Sequence, residues 1–310
     1  MKIKRTLREI RKCASDYVFL MPSWIIMSIF FLIPVFWSLY LSFFRGTLIN
    51  MTETFVWLEN YKRLIYDPLF WKALGNTVYF TGVSVPLQIM ASLIVAVLIH
   101  QIVRVKVFFR AIYFLPVVTS LISVTIIWIW LLNGSFGLIN YTLRSLGLEK
   151  GIVNLLNLRG SHIFWLNEPK LAMLSIILIT LWKDIGYKMV LFLAGLQGIP
   201  QQLYEAAEID GASWEKKFRY ITIPMLKPTT LFVAVISVIS SFQVFIQMFI
   251  IGGAEGRPLR STLSIVSYIY RTGFFTHEIG YASTIAYALF IIVFIFSLIQ
   301  FKFFSTNIEY

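Results

Sequence analysis

Long runs without a charged side chain alternate with short charged segments along the whole sequence. Five runs lack every Asp, Glu, Lys and Arg and exceed the about 20 apolar residues that a bilayer-spanning helix needs; they are Tyr17–Phe44, Ala73–Val103, Ala111–Thr142, Pro228–Ala254 and Ile279–Phe301. A sixth run, Leu171–Leu196, contains Lys183, Asp184 and Lys188. The pattern predicts an all-α polytopic membrane bundle, one domain over 1–310, with six transmembrane helices at 17–44, 73–103, 111–142, 171–196, 228–254 and 279–301.

Composition supports a lipid environment over a soluble fold. Hydrophobic residues make up 58% of the chain and charged residues 14%, against roughly 45–50% and about 25% in soluble domains. The net charge of +12 lies in short clusters between the apolar runs, such as Lys2–Lys12 and Lys216–Arg219. Such clusters are typical of loops that orient a membrane protein. We therefore predict membrane lipid, and no nucleic acid, as a partner.

The distribution of basic residues predicts the orientation of the chain. Lys and Arg are denser in one set of loops, 1–16, 104–110, 197–227 and 302–310, than in the other, 45–72, 143–170 and 255–278. The positive-inside rule then places both termini in the cytoplasm. The first apolar run is too long for the core of a signal peptide, so we expect it to remain as the first span. Cys13 is the only cysteine, which excludes an intramolecular disulfide and a cysteine metal cluster.

The connection between the fourth and fifth spans has the sequence of a structured loop. Pro200 favours a helix start, and Gln201–Ile209 is strongly helix-forming. Gly211 then predicts a turn, before a second amphipathic segment at Ala212–Tyr220 that presents Trp214, Phe218 and Ile221 on one face. We expect Pro224 and Pro228 to end that segment. Physics alone leaves two interpretations open, an amphipathic helix on the membrane surface and a helix that docks on a partner protein.

A resemblance favours the docking interpretation. Glu205-Ala206-Ala207, Asp210-Gly211-Ala212 and a terminal Ile-x-Ile-Pro at Ile221–Pro224 are similar to the EAA loop of bacterial ABC importer permeases, with Ile223 in place of the usual leucine. Further segments resemble the carbohydrate-type, maltose-transporter-like branch of binding-protein-dependent permeases: Phe31–Phe36, Asn76-Thr77, Phe109–Pro116, Gly137–Asn140 and Phe192–Gln197.

The resemblance implies a non-catalytic pore subunit in the plasma membrane of a bacterium, which forms half of an import pathway for a sugar or oligosaccharide. It implies a second permease subunit, two ATPase subunits that use ATP and Mg, and an extracytoplasmic solute-binding protein as partners; this chain has no Walker A motif and needs no cofactor of its own. The EAA loop would be a coupling helix in a cleft of the ATPase. Glu205 would contact the ATPase, Ala206, Ala207 and Ala212 would permit close approach, and Gly211 would form the turn, with Asp210 and Pro224 completing the motif.

Polar residues inside spans are candidates for the solute pathway, because they tend to face a cavity or a partner. Ser240, Gln243 and Gln247 fall on one face of the fifth span, beside Phe242 and Phe245. Amides and aromatic rings suit a solute rich in hydroxyls. The alternative for the two glutamines is hydrogen bonding between helices, and for Ser240 we favour a structural role.

The fourth span contains the charged candidates. Asp184 and Lys188 are four residues apart with the acid first, so we expect a self-neutralising pair. Lys183 has no evident local partner and is a candidate for the solute pathway or the second subunit. Tyr187, one turn away, would line the same face.

Three rival functions remain to be weighed. A membrane enzyme would need converging acids, bases or metal ligands, but His100, His162 and His277 lie in separate segments, and Tyr281 stands where a His-Glu-x-x-His motif requires histidine. An ion-driven transporter would not need the connection at 197–227. A permease for another polar solute, such as a glycerol-phosphate-type compound, stays open because the sequence does not identify the cargo.

Overall fold

The computed structural model describes residues 14–101, 106–156 and 162–304. The basic cluster Lys2–Lys12, Cys13 and most of the predicted cytoplasmic segment 1–16 therefore lie outside the described residues.

The described chain is built mainly of helices. In chain order they are α1 (Ala14–Met27), α2 (Ile33–Leu41), α3 (Glu59–Tyr66), α4 (Pro68–Gln101), α5 (Lys106–Val118), α6 (Leu121–Leu131), α7 (Leu138–Ser145), α8 (Glu149–Leu155), α9 (Pro169–Gln197), α10 (Gln201–Ile209), α11 (Trp214–Lys217), α12 (Ile223–Met225), α13 (Lys227–Phe242), α14 (Ile246–Gly252), α15 (Ile265–Tyr270) and α16 (Ile279–Phe304). π-Helical turns occupy Ser28–Leu32, Phe218–Thr222 and Arg271–Phe275. Two short strands, β1 (Phe44–Arg45) and β2 (Thr54–Phe55), pair antiparallel.

Several helical segments of the described chain are long and apolar enough to cross a bilayer. They are Phe19–Leu41, Pro68–Gln101, Lys227–Gly252 and Ile279–Lys302, and the bent pair α5–α6 would add one more. The protein is thus a multi-pass membrane protein. Helix α9 has 29 residues, enough to span, but it contains the charged residues at 183, 184 and 188.

The structure divides into two compact units. The first contains the chain up to Tyr66 and Thr272–Tyr287. In it, the Asn60 side-chain amide donates to the carbonyls of Ser42 and Phe44, both at 2.9 Å. Gly280, near the start of α16, lies so close to β1 that an added Cβ would sit 1.9 Å from the Phe44 oxygen. That contact explains why this position needs glycine.

The second unit contains Asp67–Arg271 and the chain from Ala288 onward. Its core forms where α4, α9 and α13 pack together, around the fully buried side chains of Phe80, Ile176 and Phe192. At Gly186 the backbones of α9 and α5 touch, since a Cβ there would lie 1.9 Å from the Tyr113 oxygen. Close approach at small residues is the usual way in which helices pack within a membrane.

The predicted single span over 111–142 is interrupted in the structure. Helix α5 ends at Val118, α6 begins at Leu121, and the two axes differ by 97°. Pro116 lies in the last turn of α5, and Ser120 has the extended backbone of a residue that precedes a helix. A proline near this position removes a backbone donor, and the next polar residues allow a new helix to start in another direction. Uninterrupted hydropathy could not reveal this bend.

The connection between α6 and α9 is organised by buried polar groups. Asn140 donates to the carbonyls of Gly134 (2.9 Å) and Ile163 (2.8 Å) and accepts from the Trp165 indole (2.7 Å). Nearby, the buried carboxylate of Glu149 accepts from Arg144 Nε at 2.9 Å and lies 3.3 Å from His162 Nδ1. Burial by itself would raise the pKa of Glu149, but the hydrogen bonds from Arg144 and His162 outweigh it and lower the pKa below its usual value.

Replacing Glu149 by Gln is expected to destabilise this connection in a pH-dependent way. A carboxylate with a lowered folded pKa stabilises the fold above its unfolded pKa of about 4.3, and this contribution disappears as the pH falls through the folded value. At neutral pH we expect Glu149→Gln to reduce stability by roughly 1–3 kcal/mol. The thermal midpoint of the purified protein, measured between pH 7 and 4, should show a deficit that shrinks with acid.

Glu168→Gln is the matched control, because the structure describes no ion pair for this half-buried carboxylate of the same connection. A deficit in Glu149→Gln that stays constant down to pH 4 would contradict the electrostatic account.

Candidate coupling segment and translocation cavity

Residues 198–226, here called the connecting segment, form two helical arms joined by a tight turn. The first arm, α10, begins after Pro200 and contains no buried residue. It ends at Ile209, and the turn that follows contains Gly211, whose φ of +69° is readily adopted by glycine. The amide of Gly211 donates to Glu208 O (3.0 Å) and that of Ala212 to Ala207 O (2.8 Å), the bonding pattern of a Schellman cap.

The second arm differs from the predicted helix over Ala212–Tyr220. Ser213 caps it through its hydroxyl, and α11, the π turn and α12 follow one another up to Met225. Pro224 therefore does not end the arm. It sits in the first turn of α12, directly after the π turn, where a missing N–H is tolerated. Pro228 likewise lies in the first turn of α13.

Side chains brace the two arms against each other. Lys217 Nζ lies 2.6 Å from Glu208 Oε1, and the hydroxyls of Tyr204 and Thr222 are 2.8 Å apart. The rings of Trp214 and Phe218 stack with centroids 5.3 Å apart, and Ile221 packs against the core cluster of α4, α9 and α13. Ile221 thus contacts the core of its own chain, whereas Trp214 remains 57% exposed. The segment is consequently a preformed unit.

The predicted ATPase-coupling residues lie mostly on the outer side of this unit. Glu205, Ala206, Asp210 and Gly211 are exposed, and Ala207 and Ala212 are half-buried. Ile209 next to them is 88% exposed. Pro224 is half-buried on the second arm, away from the turn.

A separate cavity of about 310 Å³ lies between α9 and the junction of α13 with α14. Its lining includes the polar or aromatic side chains of Phe80, Thr180, Asp184, Ser240, Ser241, Gln243, Phe245 and Gln247. The predicted continuous span over 228–254 is broken here, since α13 ends at Phe242 and α14 starts at Ile246. The break, rather than an unbroken helical face, brings Ser240, Gln243, Phe245 and Gln247 together.

The individual side chains of this set differ in their surroundings. Gln243 is exposed to the cavity, whereas the buried Gln247 donates to Thr180 Oγ1 at 3.3 Å, a bond between helices. Ser240 bonds back to the Ser237 carbonyl at 3.1 Å. Phe242 points elsewhere, because its fully buried ring packs 5.2 Å from that of Phe296.

Lys183 has partners that its sequence neighbours did not reveal. Its ammonium donates to the carbonyls of Pro116 (3.2 Å), Val117 (3.1 Å) and Thr119 (3.2 Å), at the break between α5 and α6. These carbonyls lack intrahelical donors because α5 ends there. Neither Lys183 nor the 41% exposed Tyr187 lines the cavity.

The expected pair of Asp184 and Lys188 is present, with Nζ 3.3 Å from Oδ2. Lys188 is buried and also donates to the Gln88 side chain of α4. Thr180 and Gln88 were not predicted from the sequence as members of this region, and Asp184 was predicted only as the partner of Lys188. The signal in the sequence that could have revealed Thr180 and Asp184 is a polar residue at every turn on one side of α9.

Among the described residues, no group of three or more His, Cys, Asp or Glu side chains could hold a metal ion.

Helices long and apolar enough to cross a membrane thus surround a polar cavity, and an exposed, braced segment joins two of them, an arrangement typical of a membrane transport subunit. Comparisons with known proteins specify which kind. Residues 65–304 match the family described as binding-protein-dependent transport system inner membrane component. The chain belongs to this family.

Similar curated proteins cover nearly the whole chain. The probable ABC transporter permease protein YurN of Bacillus subtilis is 35% identical over 94% of this chain and 97% of its own length. The lactose transport system permease protein LacF of Rhizobium radiobacter is 36% identical over 93% of each chain. A solved bacterial ABC transporter involved in alginate import shares the fold, with a TM-score of 0.82, 21% identity and coverage of 98% and 100%.

Replacing Lys183 by Met is expected to destabilise the protein, because the carbonyls of Val117 and Thr119 would lose the ammonium donor within a membrane-spanning region. The carbonyl of Pro116 would keep the Thr119 hydroxyl as a donor, at 2.7 Å. We expect a loss of roughly 1–3 kcal/mol, with the thermal midpoint lowered by about 2–4 °C for each kcal/mol. Lys183→Arg should retain part of the stability.

Lys170→Met is the control, since Lys170 is exposed on the same helix. Equal thermal midpoints for Lys183→Met and the unmodified protein would show that the ammonium does not hold the break.

Proposed function

We propose that this chain is a transmembrane permease subunit of an ATP-driven ABC importer and forms half of a translocation pathway for a sugar or oligosaccharide. The observation that carries the proposal is full-length similarity to sugar permeases. LacF is named for lactose, AraP of Bacillus subtilis, 34% identical, for arabinooligosaccharides, and MalF of Thermococcus litoralis, 30% identical, for trehalose and maltose. The cavity lined by hydroxyls, amides and aromatic rings suits such a solute.

The proposed topology has six spans with both termini in the cytoplasm. The four long apolar helices, the bent pair α5–α6 and α9 supply the six. Charged residues do not prevent α9 from spanning, because Lys183 and Lys188 both have partners inside the protein. The basic residues of the loops then place the connecting segment on the cytoplasmic side.

In this topology the connecting segment is the coupling element. Glu205 and Asp210 offer carboxylates to an ATPase subunit. The small side chains of Ala206, Ala207 and Ala212 allow the ATPase subunit to approach closely. Gly211 makes the turn, and Pro224 belongs to the arm that joins the segment to α13. Because the braces between the arms and the packing of Ile221 tie the segment to α4, α9 and α13, a push on α10 would move these helices.

The complete transporter would contain a second permease subunit, two ATPase subunits that use ATP and Mg, and an extracytoplasmic solute-binding protein. The alginate transporter of the same fold has been solved in complex with a pentasaccharide-bound periplasmic protein. The permease itself would be non-catalytic. Its part is to provide the cavity, where Gln243 bonds to hydroxyls and Phe245 stacks on a sugar face.

Glu205→Lys and Gly211→Pro are expected to abolish uptake while leaving membrane insertion intact. The first reverses a charge at the proposed contact, and the second forces φ toward −65° where the structure has +69°. The measurements are copurification of the ATPase subunits and solute uptake into proteoliposomes.

Lys150→Glu, a charge reversal at an exposed residue outside the connecting segment, is the control and should retain both properties. Normal uptake by both variants of the segment would remove its coupling role.

The energy source is tested with the assembled transporter and its binding protein in proteoliposomes. Neutral di- and oligosaccharides are first screened by thermal shift on the binding protein. We expect uptake of the best one to require ATP and to persist without an ion gradient. Uptake driven by an ion gradient in the absence of ATP would instead identify a secondary transporter.

A further inference from the structure

We propose that Asp184 makes the translocation cavity electronegative, so that it admits neutral hydroxylated solutes and rejects anionic ones such as phosphate esters and uronates. This inference rests on the proposed function, because it assigns the cavity to solute passage. It adds a charge class for the cargo and the residue that decides it.

The lining of the cavity carries one sign of charge. Of the described residues that line it, Asp184 alone has a charged side chain; the others are apolar, aromatic, hydroxyl or amide side chains. The Asp184 side chain is 37% exposed, so its carboxylate is accessible to a solute in the cavity.

The two lysines nearby, Lys183 and Lys188, do not line the cavity. The Lys188 side chain, only 3% exposed, lies behind the carboxylate and is shared between Asp184 and Gln88. Lys183 also does not line the cavity and donates to the backbone carbonyls at the end of α5. Both ammonium groups keep their charge, but of the three charged groups only the Asp184 carboxylate lines the cavity. Its negative charge therefore acts on a solute there at shorter range than the two positive charges do.

This arrangement distinguishes solutes by their hydrogen-bonding chemistry as well as by charge. An ionised carboxylate only accepts hydrogen bonds, so it pairs well with the hydroxyls of a sugar. A phosphate or a uronate carboxylate brings acceptors against an acceptor and a negative charge against a negative charge. Within a low-dielectric span, that repulsion is much stronger than in water.

The charge is measured with a cysteine placed in the cavity, in the assembled transporter. Cys13→Ser removes the only cysteine of this chain, any cysteines of the partner subunits are replaced as well, and Gln243→Cys introduces a thiol at an exposed lining position. Its reaction rates are compared for two methanethiosulfonates of similar size, one bearing trimethylammonium and one bearing sulfonate. Each rate is divided by that of the same reagent with a small free thiol.

With Asp184 present we expect the cationic reagent to react about tenfold faster than the anionic one after this correction. Asp184→Asn should bring the ratio close to one, and Asp184→Glu should keep it high. The ratio in the Asp184 protein should also fall as ionic strength rises, because salt screens the charge. This second measurement does not require that Asp184→Asn assemble.

The outcomes separate the two proposals. A ratio near one with Asp184 present, or one unchanged in Asp184→Asn, would overturn the charge assignment and leave the pathway intact. If neither Gln243→Cys nor Ser240→Cys reacts with either reagent, the cavity is closed to solutes, and both the pathway assignment and this inference fail.

Discussion

Backbone carbonyls that lose their helical donors inside a membrane must find other donors within the protein. In the second unit, the packing of the bent pair α5–α6 against α9 depends on how this requirement is met at the break between α5 and α6. Lys183 meets it with three hydrogen bonds from one ammonium group. Three residues further along the same helix, Gly186 lets the backbones of α9 and α5 touch. Together these contacts hold the bent pair against α9.

The same helix turn also organises the cavity. Because Lys183 is directed toward α5, the neighbouring Asp184 is directed toward the junction of α13 and α14, where it lines the cavity with Gln243. Adjacent charged residues on a helix point in different directions, so each can serve a separate structure. Lys188 compensates Asp184 from the buried side and links it to Gln88 of α4. Charged residues that a hydropathy profile scores as unfavourable in a membrane span thus connect neighbouring helices inside the protein.

The connecting segment shows how far local sequence rules reach. Helix α10 has the predicted bounds, and Gly211 makes the turn that its position after Asp210 indicated, because capping and turn chemistry depend on a few adjacent residues. The second arm was predicted less well. Local rules treat Pro224 as a helix terminator, whereas a π turn just before it allows the arm to continue. That π turn is stabilised by packing of Ile221 on the core, which no local rule describes.

The sequence alone determined the long apolar helices and their approximate bounds, because hydropathy depends on consecutive residues. It also indicated the class of protein, because the motif around Glu205 is formed by residues close together in the sequence. Tertiary structure decided the features that depend on residues far apart in the chain. The bend after Pro116, the partners of Lys183 and the presence of Asp184 in the cavity all require knowing which helices are neighbours. Hydropathy reports how apolar a segment is, and only the packing of one segment against another shows where its few polar atoms find their bonds.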